Sequence, residues 1–372
     1  MKKLGFGMMR LPLKDTSDIT SINYDEVCQM VDKFIEEGFT YFDTAYMYHN
    51  YVSEICVREC LVKRYERDKF LLADKLPTMQ LKSKEDNERI FNEQLNKCGV
   101  DYFDYYLLHC LTVKNVEISE RCDSFNFVKR LKEEGKIKNV GFSFHDTHEV
   151  LDSILTKYDF FDFVQLQLNY LDWENPDVQS RLCYEVAKKH NKKIIVMESI
   201  KGGKLANLPE DAAKLMKDYN PESSVASWAM RYVASIDETI LCLSGMSNYE
   251  QLVDNVTYMN DFKKLNEEEY EIIDKVTTIL NNNELIACTD CKYCVEGCPK
   301  NIAIPDYFKL YNVVKEKGWR FEYNSQKEKF DDLSKTYGLP SACINCKKCE
   351  GHCPQHLKIT DNLVKVKGMF ER

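Results

Sequence analysis

This 372-residue chain lacks the sequence features of three large classes of protein. None of its apolar runs approaches the ~20 residues of a membrane-spanning helix, so we expect no membrane partner. The opening residues, MKKLGFGMMRLPL, lack the apolar stretch and cleavage site of a secretory signal, which predicts a cytoplasmic protein with reduced thiols. The formal net charge is −9 and no basic stretch is long, which argues against nucleic acid as a partner.

Cysteine, by contrast, is abundant, and eight of the 16 cysteines form two matching runs near the C-terminus. Each run has the spacing C-x2-C-x2-C-x3-C-P, which is that of bacterial two-cluster ferredoxins. In those proteins each run supplies three ligands to one [4Fe–4S] cluster and its fourth ligand to the other. Carried over by order, one cluster would be held by Cys288, Cys291, Cys294 and Cys353, and the second by Cys343, Cys346, Cys349 and Cys298.

Two other uses of these cysteines fit the spacing less well. A zinc site needs four ligands, usually as paired C-x2-C, and leaves the repeated x3 step unexplained. A disulfide framework needs an oxidising compartment. We therefore predict two [4Fe–4S] clusters and a role in electron transfer. The other eight cysteines show no ligand spacing, so we expect them to be buried and reduced.

Short apolar runs alternate with amphipathic stretches over most of the chain. Eight of these runs predict strands, and each is followed by a stretch of helical periodicity. Eight such units over some 250 residues are typical of a (β/α)8 TIM barrel. The predicted strands are Leu4–Met8, Tyr41–Asp43, Phe70–Ala73, Tyr105–Leu108, Asn139–Phe142, Val164–Gln167, Ile194–Met197 and Ile240–Leu243.

The last ~90 residues predict a second, smaller domain that needs metal staples in place of a full apolar core. We divide the chain into a barrel at residues 1–283 and an iron–sulfur domain at residues 284–372. Helical patterns at 307–314 and 327–337 separate the two cysteine runs. The second domain therefore resembles the mainly helical ferredoxin-like domains of oxidoreductases more than the small β-rich ferredoxins.

Four polar residues follow or end predicted strands, where a TIM barrel builds its active site. They are Asp43, Tyr48, Lys75 and His109. Together they could transfer a proton to a carbonyl oxygen: a lysine cation would favour the ionised tyrosine, the aspartate would hold the lysine, and the histidine would orient the substrate. Taken singly, each residue has a structural alternative, such as a loop cap, loop packing or a structural histidine. Tyr46 and Tyr51 lie close enough in sequence to be confused with Tyr48.

Residues 1 to about 280 resemble the aldo/keto reductase family. The resemblance rests on Phe42-Asp43-Thr44-Ala45-x2-Tyr48 and on Lys75 and His109 at the family's other two catalytic positions. It implies reduction of aldehydes and ketones by a nicotinamide hydride, with Tyr48 as general acid. The whole chain resembles the subgroup of this family that has a C-terminal iron–sulfur extension.

The same resemblance implies a set of nicotinamide-binding residues. Ser143 and Gln165 would hold the carboxamide. Ser199, Gly202 and Gly203 would approach the pyrophosphate, and the adenosine end would be surrounded by Gly245, Ser247, Gln251 and Asn255.

This sequence departs from the family's cofactor pattern at three positions. Phe144 stands where many members have an asparagine, and Glu198 where many have an aromatic ring. Gln251 takes the approximate place of an arginine that clamps the 2′-phosphate of NADP, and a 2′-phosphate without such a fork is poorly held. The sequence therefore favours NAD(H) over NADP(H), unless Lys201 or Lys204 compensates.

Three interpretations of the whole chain stay open at this point. The barrel could interconvert a carbonyl and an alcohol while the clusters exchange electrons with a redox partner protein. The clusters could instead be purely structural. The chain could also be a non-catalytic electron-transfer or redox-sensing module, against which the complete catalytic set argues.

Overall fold

Eight parallel strands close into a barrel in the computed structural model of the chain, which describes residues 2–281, 285–317 and 319–371. Each strand pairs with its neighbour in chain order, and the last pairs with the first, where Gly7 lies opposite Gly245. The predicted (β/α)8 barrel is confirmed. The strands are β1 Leu4–Gly7, β2 Tyr41–Asp43, β3 Leu71–Leu76, β4 Phe103–Leu111, β5 Ile137–Phe144, β6 Phe163–Gln167, β7 Lys193–Met197 and β8 Thr239–Gly245.

Four of the strands extend beyond their predicted carboxyl ends, namely β3, β4, β5 and β8. β3 continues to Leu76 and β4 to Leu111, because their ladder hydrogen bonds persist past the apolar run. Lys75 and His109 therefore lie within the last residues of their strands. Their side chains are still placed at the carboxyl end of the barrel, as predicted.

Helices follow the strands, and two of those in the first 270 residues have no counterpart among the predicted strand–helix units. These are α4 and α8. The helices are α1 Tyr24–Glu36, α2 Ser53–Val57, α3 Glu85–Cys98, α4 Val113–Arg121, α5 Ser124–Glu133, α6 His148–Lys157, α7 Ser180–Lys189, α8 Glu210–Tyr219, α9 Val225–Ser235, α10 Tyr249–Asn260, α11 Glu267–Asn281, α12 Ile304–Lys317, α13 Trp319–Ser334 and α14 Ile359–Phe370. In the part of the chain that the structure describes, none of them is long and apolar enough to cross a membrane.

The chain divides into two compact units, and the division does not follow the sequence strictly. The first unit comprises Met1–Ile200 and Pro221–Tyr270, and the second comprises Lys201–Asn220 and Glu271–Arg372. Most of the segment between β7 and α9 thus belongs to the second unit. The boundary expected between residues 283 and 284 lies outside the described residues.

An apolar layer fills the interior of the barrel in the first unit. Tyr41, Leu107, Phe163, Ile195 and Leu241 are each 1 % exposed or less and pack together. They precede the polar strand ends along their strands, so the polar residues lie directly above a buried apolar layer.

A separate apolar core holds the second unit together. Tyr307 and Phe308 from α12, Phe330 from α13 and Phe370 from α14 are buried in it. Four of the cysteines in the two runs pack against this core, namely Cys288, Cys298, Cys343 and Cys353. The core is helical, in agreement with the sequence-based expectation for this domain.

Candidate active site and cluster sites

Lys75 lies at the centre of the predicted catalytic group. Its Nζ atom donates to Asp43 Oδ1 at 2.5 Å and to the carbonyl oxygen of Thr44 at 2.7 Å, and it lies 3.3 Å from the Tyr48 hydroxyl. The lysine side chain is only 1 % exposed. Burial raises the pKa of Asp43, and the charge of Lys75 opposes that shift. A buried ion pair with this many partners fixes the position of the lysine.

Tyr48 reaches the site from the loop after β2. Lys75 Nζ also lies 4.7 Å from the centroid of its ring. The pKa of Tyr48 is raised well above its ordinary value of 10, first by burial and then by the charges of Asp43 and Asp74. This direction is opposite to the one that a neighbouring lysine alone would produce. Tyr48 is therefore a protonated donor across the physiological pH range.

The two other tyrosines of this loop are directed elsewhere. The Tyr46 hydroxyl donates to Glu93 Oε2 at 3.0 Å, and the Tyr51 hydroxyl accepts from Gln80 Nε2 at 3.0 Å. Only Tyr48 of the three has its hydroxyl beside Lys75. The structure therefore selects it from the candidates that the sequence left open.

His109 faces Tyr48 from β4, with their ring centroids 6.0 Å apart. It is 4 % exposed, and its Nδ1 atom makes no hydrogen bond to any described residue. Burial, followed by the charge of Lys75, lowers the pKa of His109 well below 6.5, so the imidazole is neutral. The next residue, Cys110, has φ +58° in a β-bulge that re-aims the end of β4. No sequence signal pointed to this bulge.

Ser143 and Gln165, the predicted carboxamide partners, are both buried beside the catalytic group. Ser143 Oγ accepts from the Cys110 backbone N–H at 2.7 Å. Gln165 Nε2 donates to Asp43 Oδ2 at 3.3 Å. The structure thus connects both residues to the catalytic group through its own hydrogen bonds, and the serine O–H and the glutamine carbonyl are still able to bind a ligand.

The predicted pyrophosphate residues after β7 have unequal surroundings. Ser199 Oγ donates to the Leu243 carbonyl oxygen at 3.1 Å. Gly202 and Gly203 have φ of +63° and +94°, which favours glycine. A Cβ on Gly202 would lie 2.8 Å from Thr289 Cβ, whereas a Cβ on Gly203 would meet nothing within 4 Å. Only Gly203 therefore has room beside its Cα, because Thr289 already occupies the space beside Gly202.

Lys201 and Lys204, the candidates to replace the missing arginine, both make hydrogen bonds within the second unit. Lys201 is 2 % exposed, and its Nζ lies 3.1 Å from Gln355 Oε1. Lys204 Nζ donates to the carbonyl oxygen of Ile286 at 2.7 Å. Both lysines contact the segments that flank cysteines of the two runs, so the structure does not support them as phosphate ligands.

The predicted adenosine residues lie together after β8. The Ser247 N–H donates to Gln251 Oε1 at 2.8 Å, and Asn255 Nδ2 donates to the Gln251 carbonyl oxygen at 2.7 Å. A Cβ on Gly245 would lie 3.2 Å from the Arg10 side chain. Arg10 was missed by the sequence reasoning, although it comes shortly after β1, at the rim where a barrel binds its ligands.

The eight cysteines of the two runs divide into two groups in the second unit. One cavity is lined by Cys288, Cys291, Cys294 and Cys353. Another is lined by Cys343, Cys346, Cys349 and Cys298. These are the two sets expected from the exchange of the fourth cysteine between runs.

Charge effects between the thiols lead to the same grouping. Burial raises the pKa of Cys294 beyond its ordinary range, and Cys291, Cys288 and Cys353 add to that shift. Such thiols are held close together and need a metal centre to be deprotonated. No three His, Cys, Asp or Glu side chains of the described residues surround one point closely enough for a single metal ion. The four thiols that line each cavity are the set of ligands that a [4Fe–4S] cluster uses.

Most of the remaining cysteines are buried thiols, as expected. Six of the eight are buried, and Cys28 and Cys110 are partly exposed. All of them are free.

A parallel barrel with an acid–base group at its carboxyl end, followed by two sets of four cysteines, defines an oxidoreductase with an iron–sulfur domain. The chain belongs to the aldo/keto reductase family, whose family model matches residues 3–278. A 4Fe-4S dicluster domain matches residues 287–357.

Individual relatives share the barrel. The uncharacterized oxidoreductase YqkF of Bacillus subtilis (strain 168) is 23% identical over 283 residues, which are 68% of this chain and 88% of YqkF. The structure of the holo form of aldo-keto reductase AKR11C1 from Bacillus halodurans is similar with a TM-score of 0.60 and 23% identity, over 74% of this chain and 91% of that one. An aldo-keto reductase from Klebsiella pneumoniae, solved in complex with NADPH, has a TM-score of 0.57 and 20% identity, over 74% and 90%. At these identities the solved structures support the fold alone.

Proposed function

We propose that the chain interconverts a carbonyl and an alcohol by nicotinamide hydride transfer, and that it exchanges electrons through two [4Fe–4S] clusters. Tyr48 is the general acid and base of the first reaction. The observation that carries this proposal is the position of Lys75 Nζ, 2.5 Å from Asp43 Oδ1 and 3.3 Å from the Tyr48 hydroxyl. This arrangement has one proton donor, one fixed cation and one buried counter-charge.

The residues around Lys75 direct the proton of Tyr48. Because burial and the nearby carboxylates raise the pKa of Tyr48, its proton leaves only toward an oxygen that is becoming strongly basic. A carbonyl oxygen gains that basicity as its carbon is reduced. Lys75 then stabilises the phenolate as it forms, and Asp43 keeps Lys75 in place.

His109 positions the substrate. It is neutral, buried and has an unused Nδ1 atom, so a neutral imidazole is available to bind a carbonyl or hydroxyl oxygen. A buried polar atom without a partner costs free energy that a substrate hydrogen bond would recover. The substrate is therefore a small molecule with an aldehyde, ketone or alcohol group.

A bound nicotinamide would supply the hydride. Ser143 and Gln165 would hold its carboxamide, since both are buried and joined to the catalytic group. Ser199 and Gly203 would lie along the pyrophosphate. Gly202 is the member of the predicted set with the least support, because Thr289 lies beside it.

NAD(H) is the proposed dinucleotide. Gln251 uses its Oε1 atom to accept from Ser247, and Lys201 and Lys204 are bonded elsewhere. Arg10, beside Gly245, is the feature that would favour a 2′-phosphate. The ratio of kcat/KM for NADH and NADPH measures this preference. A preference for NADPH that disappears in Arg10→Gln would reverse the proposal.

Replacement of Tyr48 by phenylalanine tests the acid–base role. Tyr48→Phe should lower carbonyl reduction by about 10²–10⁴-fold, which is the effect of a positioned acid. Tyr46→Phe is the matched control, since it removes a hydroxyl that contacts Glu93 and lies away from Lys75. If Tyr48→Phe kept full turnover, and the iron content of both variants equalled that of the unaltered protein, Tyr48 would not be part of the mechanism.

The clusters would carry single electrons to and from a redox partner, with the protein in the reducing cytoplasm. The four cysteines around each cavity are the proposed ligands. Anaerobic addition of NADH or NADPH, with and without a carbonyl substrate, followed by electron paramagnetic resonance (EPR), measures the connection. A reduced-cluster signal is expected. If neither donor gave a reduced-cluster signal, the clusters would not exchange electrons with the hydride reaction.

A second candidate function gives the clusters a structural role only. It is favoured by the packing of Cys288, Cys298, Cys343 and Cys353 against the apolar core of the second unit. In that case carbonyl reduction would proceed while the EPR signal stayed absent. The same experiment therefore separates the two candidates.

A further inference from the structure

We propose that the surface over the second cysteine set, formed by Lys300, Ile344, Lys347 and Lys348, docks a small acidic one-electron carrier protein. This inference deepens the proposed function, on which it rests for the redox role of the clusters. The four residues line the cavity of Cys298, Cys343, Cys346 and Cys349. All four are exposed, Ile344 to 57%. We call these four residues the docking surface.

Exposed apolar side chains are concentrated in the C-terminal part of the chain, which includes Ile344 of the docking surface. Seven large hydrophobic side chains are exposed in the described part of the chain, and four of them lie between residues 337 and 364. They are Tyr337, Leu339, Ile344 and Val364. Contiguous exposed apolar surface is typical of protein–protein contact sites, and Ile344 supplies the apolar part of the docking surface.

The charge of this region is opposite to that of the chain as a whole. Residues 337–372 contain six lysines and arginines and three acidic residues, whereas the net charge of the chain is −9. Glu350 Oε1 accepts from the Thr360 N–H and hydroxyl, and Glu371 Oε1 accepts from the Ser341 N–H. Both carboxylates keep their charge, but the basic residues of this region outnumber the acidic ones. Lys347 and Lys348 therefore lie in a region of net positive charge, to which Lys300 adds, and such a region attracts an acidic partner.

In the described part of the chain, the first cysteine set has one exposed lysine in its lining, Lys292, where the second set has three. Its cavity is lined by Thr289 and Gln355, which are buried and contact Gly202 and Lys201. Within the second unit the first set is thus covered by the segment after β7, and the second set lies under exposed lysines. A carrier protein would exchange electrons at the second set.

The exchange itself is simple to balance. One electron passes from the reduced carrier to the oxidised cluster, the carrier is oxidised by one electron, and no covalent bond forms or breaks. Two such transfers together with one proton are equivalent to one hydride. The co-reactant is a one-electron carrier of the acidic ferredoxin class.

Anaerobic stopped-flow measurement on the cluster-loaded full chain tests the proposal. The probe is a plant-type acidic [2Fe–2S] ferredoxin, pre-reduced and freed of dithionite, and the readout is the rate of cluster reduction. Lys300→Gln/Lys347→Gln/Lys348→Gln should lower this rate on the order of 10-fold at low salt. The matched control is Lys309→Gln/Lys329→Gln/Lys335→Gln, which removes three exposed lysines from the same unit.

The unaltered protein provides a test that does not depend on assembly of the variant. Its rate of cluster reduction by the acidic ferredoxin should fall as salt rises. Equal rates in the two triple variants, or a rate that rises with salt, would overturn the proposal. The readout uses neither nicotinamide nor carbonyl, so it is unaffected if the proposed hydride reaction is wrong.

A second inference rests on different contacts. We infer that the charge of Lys201 raises the reduction potential of the cluster held by Cys288, Cys291, Cys294 and Cys353. Its Nζ is buried and fixed by Gln355, two residues after Cys353. Lys204 is similarly bonded to Ile286, two residues before Cys288. A buried cation stabilises the more negative, reduced form of a nearby cluster.

EPR-monitored redox titration of the loaded protein measures this effect. In Lys201→Gln, one of the two midpoint potentials should become more negative by about 59 mV, equivalent to tenfold in the one-electron equilibrium. Lys201→Arg should restore it, and Lys214→Gln, an exposed lysine of α8 paired with Asp218, should leave both potentials unchanged. Unchanged potentials in Lys201→Gln, or an equal shift of both clusters, would overturn the inference. If that variant fails to load, Lys204→Gln must show the same selective shift.

Discussion

The predicted catalytic group of the barrel is held together by an ion pair and hydrogen bonds between its own residues. The cysteine sets of the second unit instead line two cavities. In the barrel, Lys75 has three oxygen partners within 3.3 Å, and all come from the same unit. In the second unit, burial raises the pKa of Cys288 to about 11. In the barrel site, the charge of Lys75 is balanced by Asp43. The thiols of the second unit would lose their protons only on binding a metal centre. This difference makes the two sites separable by mutation.

The largest effect is expected from loss of a cluster ligand. Cys294→Ala should remove about half of the bound iron and destabilise the second unit, because metal binding contributes directly to its folding free energy. Iron and sulfide analysis with limited proteolysis measures both. The barrel should keep its thermal transition.

Cys242→Ala is the matched control for that experiment. Cys242 is fully buried in β8, outside both cysteine runs. This variant should retain all of the iron. If Cys294→Ala also retained it, the proposed first set of ligands would be wrong.

The next effect concerns the barrel site. Lys75→Met leaves Asp43 buried at 2 % exposure without its cation, and breaking a buried pair in this way costs about 3–5 kcal/mol of unfolding free energy. Asp43→Asn/Lys75→Met should recover much of that loss, since no charge is left unpaired. Anaerobic urea denaturation gives the comparison. A single variant as stable as the double one would mean that the pair is not the centre of the site.

A smaller effect should appear in the pH dependence of stability. The pKa of His109 is well below 6.5 when folded and returns to about 6.5 on unfolding. The unfolded chain therefore binds the extra proton below about pH 6.5, and stability falls there by up to about 1.4 kcal/mol per pH unit. His109→Gln should remove this part of the slope between pH 7.5 and 5.5. An unchanged slope would show that His109 is protonated in the folded protein.

The sequence predicts the parts of the molecule that depend on strand order. Asp43, Lys75 and His109 could be placed together because parallel strands end at one rim of a barrel, and the cysteine sets followed from spacing alone. The α4 helix could have been found from its start, since Thr112 Oγ1 accepts from the Asn115 N–H as an N-cap. Its strongly polar composition hid the helical pattern.

Contacts between distant segments could not be predicted in the same way. Nothing in the residues around Gly202 indicates that Thr289, 87 positions later, lies against its Cα. The burial of Lys201 by Gln355 is equally a product of tertiary packing. Resemblance to a family predicts a phosphate site for this segment, but it gave no indication that Lys201–Asn220 belongs to the second unit.

The smallest effect tests that assignment by comparing two adjacent glycines. Both Gly202→Ala and Gly203→Ala carry the strain of a side chain at positive φ, about 1–2 kcal/mol. Only Gly202→Ala also drives a methyl group against Thr289, because the space beside Gly203 is open. Gly202→Ala should therefore be less stable by about a further 1 kcal/mol, and it should lose iron from the first cysteine set during dilution more readily than Gly203→Ala. Equal stability and equal iron retention in the two variants would show that this segment does not support the cluster region. Gly202 would then remain a candidate for binding the dinucleotide.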